Sequence, residues 1–191
     1  GKPVGNGTAR WIAFGRAVES GIEAAADAAA GFAADPGLVS EAWLAAQSAP
    51  HLVDAGALAG RNGFGIADTG YKPFATARQG AAAVAAFHLL LDEESIDPAR
   101  IGHVLVEVPT ASHSLVSRPL VPSDRLSTLS SAAYQLAAAA LAPDLLFDVA
   151  RRAAPEARVL AFAERVEAKA AVDLDADWPR SWSGRVSVDI G

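Results

Sequence analysis

The sequence has no cysteine and no methionine, and its lysines are Lys2, Lys72 and Lys169. Without cysteine, the chain's own side chains cannot form a disulfide, a thiolate zinc site or an iron–sulfur cluster. No apolar run approaches the roughly 18 to 20 residues that a membrane-crossing helix needs. The first seven residues also lack the apolar core of a signal peptide. We therefore expect a cytoplasmic protein with no membrane partner.

Basic residues are outnumbered, with 16 Lys and Arg against 22 Asp and Glu and a net charge of -6. This balance argues against a nucleic-acid partner, which would require a basic face. It does not argue against a small anionic substrate, because a few local cations set the field of a binding site. The hydrophobic fraction of 51% predicts a packed core. Much of this fraction is alanine, which buries little area per residue. We therefore expect the core to need close contacts between helices, and its stability to depend on a partner surface.

Helical periodicity is present in both halves of the chain. It predicts a long helix over residues 8–32 and, after Asp35-Pro36, a second helix over about 39–47. Farther along it predicts helices over about 76–91 and from Ser123-Asp124 to Leu141, and shorter ones after Pro143 and Pro155.

Strand periodicity is confined to the later part of the chain. Alternating apolar residues predict strands over 101–109, 165–173 and 184–190, which we expect to pair antiparallel, and a short extended piece over 65–72. The sequence thus predicts an α+β fold: a small antiparallel-sheet domain over 66–191, preceded by the end of an all-α domain (1–50) and a linker (51–65).

The order of several short motifs resembles the MmgE/PrpD family, which includes 2-methylcitrate dehydratase and cis-aconitate decarboxylase. The segment TARWIAFGRAVESGIEAA (8–25) is similar to a helical-domain motif of that family, and KPFATAR (72–78) to the motif that opens its α+β domain. The strand IGHVLVEV (101–108), Arg118-Pro119 and STLS (127–130) follow in the family's order. The resemblance covers the C-terminal half of a family member.

The resemblance implies a metal-independent lyase without a cofactor, acting on a small polycarboxylate by dehydration or decarboxylation. It also implies that the acid–base residues of the N-terminal helical half come from elsewhere. We therefore expect a fragment or a natural subunit, completed by a helical half or companion chain in a homo- or hetero-oligomer such as a dimer. At three positions where the family has His, His and Lys, this chain has Ala13, Ala81 and Thr128.

Three cations are candidates for binding substrate carboxylates: Arg10, Lys72 and Arg78. Lys72 precedes a proline, so its backbone is extended and its ammonium is expected at the mouth of the next helix. Arg78 falls in the first turn of that helix, which disfavours a cation unless an anion is bound there. Its planar fork suits a carboxylate. Each cation has an alternative role without a ligand. Lys72 could be a surface lysine in a loop, Arg78 could form a salt bridge with a nearby acid, and Arg10 could lie at a solvated helix end.

Two residues are candidates for catalysis. The resemblance assigns Lys72 to the active site, and His113 stands near a functional tyrosine of the decarboxylase branch, where it could donate a proton from a loop. The alternative is an ordinary loop histidine. His103 and Glu107 share one face of a strand and are interpreted as a solvated sheet surface. Since no histidine has a partner at metal-ligand spacing, no metal site is proposed.

Three functions stay open on the sequence alone. The chain could belong to a lyase. It could belong to an isomerase or epimerase, since removal and return of a proton next to a carboxylate needs the same stabilising cations. It could also be the non-catalytic subunit of a split enzyme.

Overall fold

The computed structural model describes residues 9–35, 46, 65–148 and 155–191, and helices are numbered over these residues. The chain divides into two compact units, with the boundary between Gly70 and Tyr71. Except for Gly65, the predicted linker 51–65 lies outside the described residues, as does nearly all of the helix predicted over 39–47. Among the described residues, no helix is long and apolar enough to cross a membrane.

The first unit contains helix α1, Ala9–Ala29, and the prediction of a long helix over 8–32 is confirmed. Gly31 ends it, with a φ of 95° that suits glycine. Gly31 N donates to Ala28 O at 3.1 Å and Phe32 N to Asp27 O at 3.0 Å, so the last turn closes as a Schellman motif. Apolar side chains of this unit are 59–74% exposed: Trp11, Ile12, Phe14, Val18, Ile22, Phe32 and Ile66. The extended piece predicted over 65–72 is wrong at its start, because Gly65–Asp68 is a 3-10 turn.

The second unit is α+β, as predicted. Its strands are β1 (Ile101–Val108), β2 (Val166–Ala170) and β3 (Arg185–Ile190). Its helices are α2 (Arg78–Glu93), α3 (Thr110–Val116), α4 (Arg125–Ser130), α5 (Ala132–Leu141) and α6 (Ala157–Ala163). Single 3-10 turns cover Pro98–Arg100, Pro143–Leu146 and Val172–Asp177.

The three strands form one sheet in the order β2-β1-β3. β1 pairs antiparallel with β3, as expected, but parallel with β2, with Val106 opposite Ala168. The expectation of a wholly antiparallel sheet is therefore wrong. Between β1 and β2 the chain passes through α3, α4, α5 and α6, and such a long crossover returns the chain in the same direction, as a parallel pair requires.

The core lies between the sheet and the helices. Val104, Val106 and Val108 of β1 are fully buried, and so are Phe87 of α2 and Leu136 of α5. The alternate residues of β1 point away from this core, so one face of the sheet is covered by helices and the other is polar. The unit is thus a two-layer α+β arrangement.

Two local predictions need correction. The helix predicted from Ser123-Asp124 to Leu141 is two helices, because Ser131 is extended (ψ 116°) and its hydroxyl accepts a hydrogen bond from Tyr134 N, capping α5. The segment around His113, predicted as a loop, is helix α3. Its first turn is held by Asp175, whose carboxylate accepts hydrogen bonds from Thr110 N and Thr110 Oγ1, both at 2.7 Å.

The segment before β3 lies very close to α2. A Cβ atom at Gly184 would be 2.8 Å from Ala83 N, a distance that backbone atoms do not tolerate. Glycine at this position therefore lets the backbone directly before β3 lie against the first half of α2.

Candidate functional site

Lys72 begins the segment that leads into α2. Its side chain is exposed, and Nζ donates a hydrogen bond to the carbonyl oxygen of Thr76 at 2.8 Å. Thr76 is 3% exposed, and its N–H bonds to Phe74 O at 2.9 Å, so the backbone turns tightly between the two residues. The ammonium is folded back over this turn and stays accessible to solvent.

The Lys-Pro segment is anchored on the end of α4. Ala77 N donates to Leu129 O at 2.8 Å, and Thr76 Oγ1 reaches the same oxygen at 3.3 Å. On the other side, Ala75 N donates to Leu146 O at 2.6 Å. Two segments singled out in the sequence, 72–78 and 127–130, are therefore in direct contact.

A third such segment joins them through Ser127. The Ser127 hydroxyl donates to Pro119 O at 3.2 Å and accepts from Val121 N at 2.8 Å. Asp124 caps α4 by accepting from Leu126 N and Ser127 N. The Arg118-Pro119 segment thus packs on the start of α4, whereas the Lys-Pro segment packs on its end.

Thr128, at a position where the resemblance to the MmgE/PrpD family implies a lysine, faces the protein interior. It is 3% exposed, and its hydroxyl donates to Arg125 O at 2.9 Å. Its carbonyl oxygen accepts from Nε2 of the fully buried Gln135, also at 2.9 Å. This position therefore supplies packing and hydrogen bonds rather than a positive charge.

Arg78 is the first residue of α2, so its predicted position in the first turn is confirmed, although the helix starts two residues later than predicted. The preceding residue, Ala77, gives the helix no side-chain cap. The Arg78 guanidinium carbon lies 5.6 Å from the centre of the Trp182 ring, a cation–π geometry. Within the described part of the chain, no carboxylate forms a salt bridge with Arg78. The local salt bridge considered as the alternative role of Arg78 is thus absent there.

Sequence reasoning missed the tryptophan beside Arg78. Trp182 and Trp178 pack edge to face at 4.5 Å between ring centres, in the segment that precedes β3. The only available signal was the pair of tryptophans close to Pro179 and Arg180, and nothing in that spacing points to α2.

His113 is tied to the sheet. Its Nε2 lies 3.0 Å from the carbonyl oxygen of Ala168 in β2. Because a carbonyl oxygen only accepts hydrogen bonds, this contact requires a proton on Nε2. The ring thus helps hold α3 against β2, and its catalytic role stays a prediction.

The polar face of the sheet carries a charged cluster, which confirms the interpretation of His103 and Glu107 as a solvated surface. Arg185 donates to Glu107 at 2.7 and 3.0 Å and to Asp173 at 2.8 Å. These hydrogen bonds hold the pKa of Glu107 and of Asp173 below their ordinary values and raise the pKa of Arg185. His103 lies 3.8 Å from Glu167 and 3.9 Å from Asp189.

Arg10 lies in the first turn of α1, in the other compact unit. Its convergence with Lys72 and Arg78 on one cleft stays a prediction. Lys72 and Arg78 themselves are joined by the short turn described above. Among the described residues, no group of three His, Asp or Glu side chains is placed to hold a metal ion.

The chain matches no model of a known protein family, and no curated protein matches it either. The resemblance to the MmgE/PrpD family therefore depends on the motifs and their order.

Proposed function

We propose that this chain is the cationic, substrate-binding half of a metal-independent cytoplasmic lyase that acts on a small polycarboxylate, by dehydration or decarboxylation. The observation that carries the proposal is the pair of exposed cations at the start of α2. Lys72 is bonded to a backbone oxygen, and Arg78 has no carboxylate partner among the described residues. Both have charge available for an anion.

The position of Arg78 adds a physical reason to expect an anion. The partial positive charge of a helix N-terminus disfavours a cation in the first turn, and a bound anion offsets that cost. A guanidinium can hold a carboxylate through two parallel hydrogen bonds, while an ammonium acts as a compact point charge. A substrate with two or more carboxylates suits this pair.

The chemistry would take place at a carbon next to a carboxylate. A proton on such a carbon is weakly acidic, so its removal needs a positioned base and cations that stabilise the charge spreading onto the carboxylate. Lys72, Arg78 and Arg10 are the proposed cations. We assign the base and the acid to a helical half, carried by a companion chain or by more of the same polypeptide, in an oligomer.

A citrate titration of the purified protein followed by calorimetry tests the binding step. Arg78→Ala should weaken citrate binding by about 1.5 to 3 kcal/mol, the range for a hydrogen bond to a charged group. Arg180→Ala is the matched control, since it removes an exposed arginine that already pairs with Asp177, and it should leave affinity unchanged. Citrate binding no tighter than that of acetate, or equal losses in both variants, would contradict the proposal.

An isomerase or epimerase on the same scaffold is the alternative, favoured by the buried, uncharged Thr128 at a position where the family has a lysine. Incubation of the assembled protein with a polycarboxylate in D₂O separates the two reactions. Deuterium uptake without loss of water or CO₂ indicates the isomerase, while product loss indicates the lyase. Intact-mass measurement of the native protein with its co-purifying chains identifies the companion. An assembled complex that binds citrate without turnover points to a non-catalytic subunit.

A further inference from the structure

We propose that Trp182 is a positioning residue, which holds the Arg78 guanidinium in place to receive a substrate carboxylate. This role rests on the proposed function and adds a residue that no motif assigns. It starts from a contact between two elements far apart in the chain: the first residue of α2 and the segment before β3.

The contact itself is specific in geometry. Arg78 Cζ is 5.6 Å from the Trp182 ring centre, within the roughly 6 Å over which an indole attracts a cation. Trp182 is half-buried and packs edge to face against Trp178, so a second ring restrains the indole. An exposed arginine on its own would sample many rotamers, and the contact with Trp182 restricts them.

The backbone around Trp182 is fixed as well. Gly184 lies so close to α2 that a Cβ would be 2.8 Å from Ala83 N. At the next residue, β3 begins its antiparallel pairing with β1, and the Arg185 side chain bonds to Glu107. The backbone that directly follows Trp182 is therefore fixed, first by a close helix contact and then by a paired strand, and this gives the indole a rigid support.

The contact leaves Arg78 able to bind a ligand. Arg78 stays exposed, and its N–H donors that do not point at the indole are available to an anion. A carboxylate can accept two parallel hydrogen bonds from them. The same contact stabilises a cation at a helix N-terminus, where the helix dipole disfavours it. Trp182 would thus keep Arg78 ready for the substrate before binding.

A double-mutant cycle on the purified protein tests this role, with citrate as the probe in calorimetric titrations. Trp182→Leu should weaken binding about two- to fivefold, the size of a surface cation–π contact. Trp182→Phe keeps an aromatic face and should retain most of the affinity. In an Arg78→Ala background, Trp182→Leu should cause no further loss, because its effect passes through Arg78. Equal losses in both backgrounds would mean that Trp182 only supports the fold, and would overturn the role.

Side-chain NMR of Arg78 provides a readout that does not depend on any ligand. The ring current of Trp182 should shift the Arg78 Hδ protons upfield in the wild type, and Trp182→Leu should abolish the shift. Absence of the shift in the wild type overturns the proposal, even if the leucine variant fails to fold. Wild-type protein that binds no citrate overturns the proposed function together with this role. If citrate binds and Arg78→Ala weakens binding but Trp182→Leu does not, only the role of Trp182 fails.

Discussion

The ammonium group of Lys72 donates a hydrogen bond to the carbonyl oxygen of Thr76, 2.8 Å away. Thr76 is in turn anchored on Leu129, at the end of α4. The lysine is therefore held by a turn that the rest of the fold keeps in place, although its side chain is exposed.

Replacement of Lys72 by alanine should weaken citrate binding by about 1.5 to 3 kcal/mol. Lys72→Arg should restore the affinity only in part, because a planar fork does not fill the place of a compact ammonium. Calorimetric titration of the three proteins measures both effects. Lys169→Ala, which removes a lysine paired with Glu167 on the polar sheet face, is the control. Wild-type affinity in Lys72→Ala would return Lys72 to the role of a surface lysine.

Removal of the Asp175 carboxylate should destabilise the second unit. Asp175 accepts two hydrogen bonds from Thr110, the first residue of α3, so Asp175→Ala should lower the free energy of unfolding by about 0.5 to 1.5 kcal/mol, the range for a hydrogen bond. Asp177→Ala, which removes only an exposed pair with Arg180, should change it by less than about 0.5 kcal/mol. Urea unfolding followed by circular dichroism compares them. Similar losses in the two variants would show that the hydrogen bonds of Asp175 with Thr110 add no more stability than an exposed ion pair.

Gly184 should not accept a side chain. Gly184→Ala forces a Cβ against Ala83 N, which we expect to cost about 1 to 3 kcal/mol of stability, as for overpacked cores. Gly102→Ala is the matched control, because its Cβ would meet Asp189 O at an ordinary 3.7 Å. Thermal unfolding of the two variants gives the comparison. If the melting temperature of Gly184→Ala equals or exceeds that of Gly102→Ala, the close approach of Gly184 to Ala83 does not constrain this position.

The contribution of Arg185 to stability should depend on pH. Its hydrogen bonds lower the pKa of Glu107 and Asp173 below their ordinary values of 4.5 and 3.8. A carboxyl group whose pKa is lowered by folding stabilises the fold at pH values above its ordinary pKa. This stabilisation is lost as the pH falls through the lowered pKa. The difference in unfolding free energy between wild type and Arg185→Gln should therefore be constant near neutral pH and shrink below about pH 4.

Urea titrations of both proteins over this range measure that difference. Arg185→Lys keeps the charge but loses the two-point contact. Its unfolding free energy should therefore lie between those of the wild type and Arg185→Gln. A wild-type advantage that is unchanged at pH 3 would contradict the prediction.

Local periodicity was sufficient to predict α1 and β1, because each has a regular apolar spacing and clear ends. It could not give the direction of β2, since alternation of side chains is the same in a parallel and an antiparallel strand. Periodicity also predicted one helix where the chain has two, because apolar residues continue at helical spacing on both sides of Ser131. The break depends on a hydroxyl that caps α5, and serine is equally compatible with a helix interior.

The candidate site was predictable only where its residues are close in sequence. Lys72 and Arg78 lie in one motif, and the structure joins them through one turn. The contact of Arg78 with Trp182 arises from tertiary packing between α2 and the segment before β3, which no local pattern encodes. The loop prediction at His113 failed because the first turn of α3 is held by Asp175, a residue remote in the chain.

The central position of β1 has a consequence for how fast this unit folds. Both neighbours of β1 follow it only after long stretches of chain, so neither pairing can form by a local hairpin. Closing such loops costs entropy before any strand contact compensates for it. The contacts of α4 with α5 are local in the chain and can form early. The sheet forms only when β2 and β3, which are distant in the chain, reach β1. We expect the sheet to set the folding rate, in the slower range typical of mixed folds with non-local strand pairs.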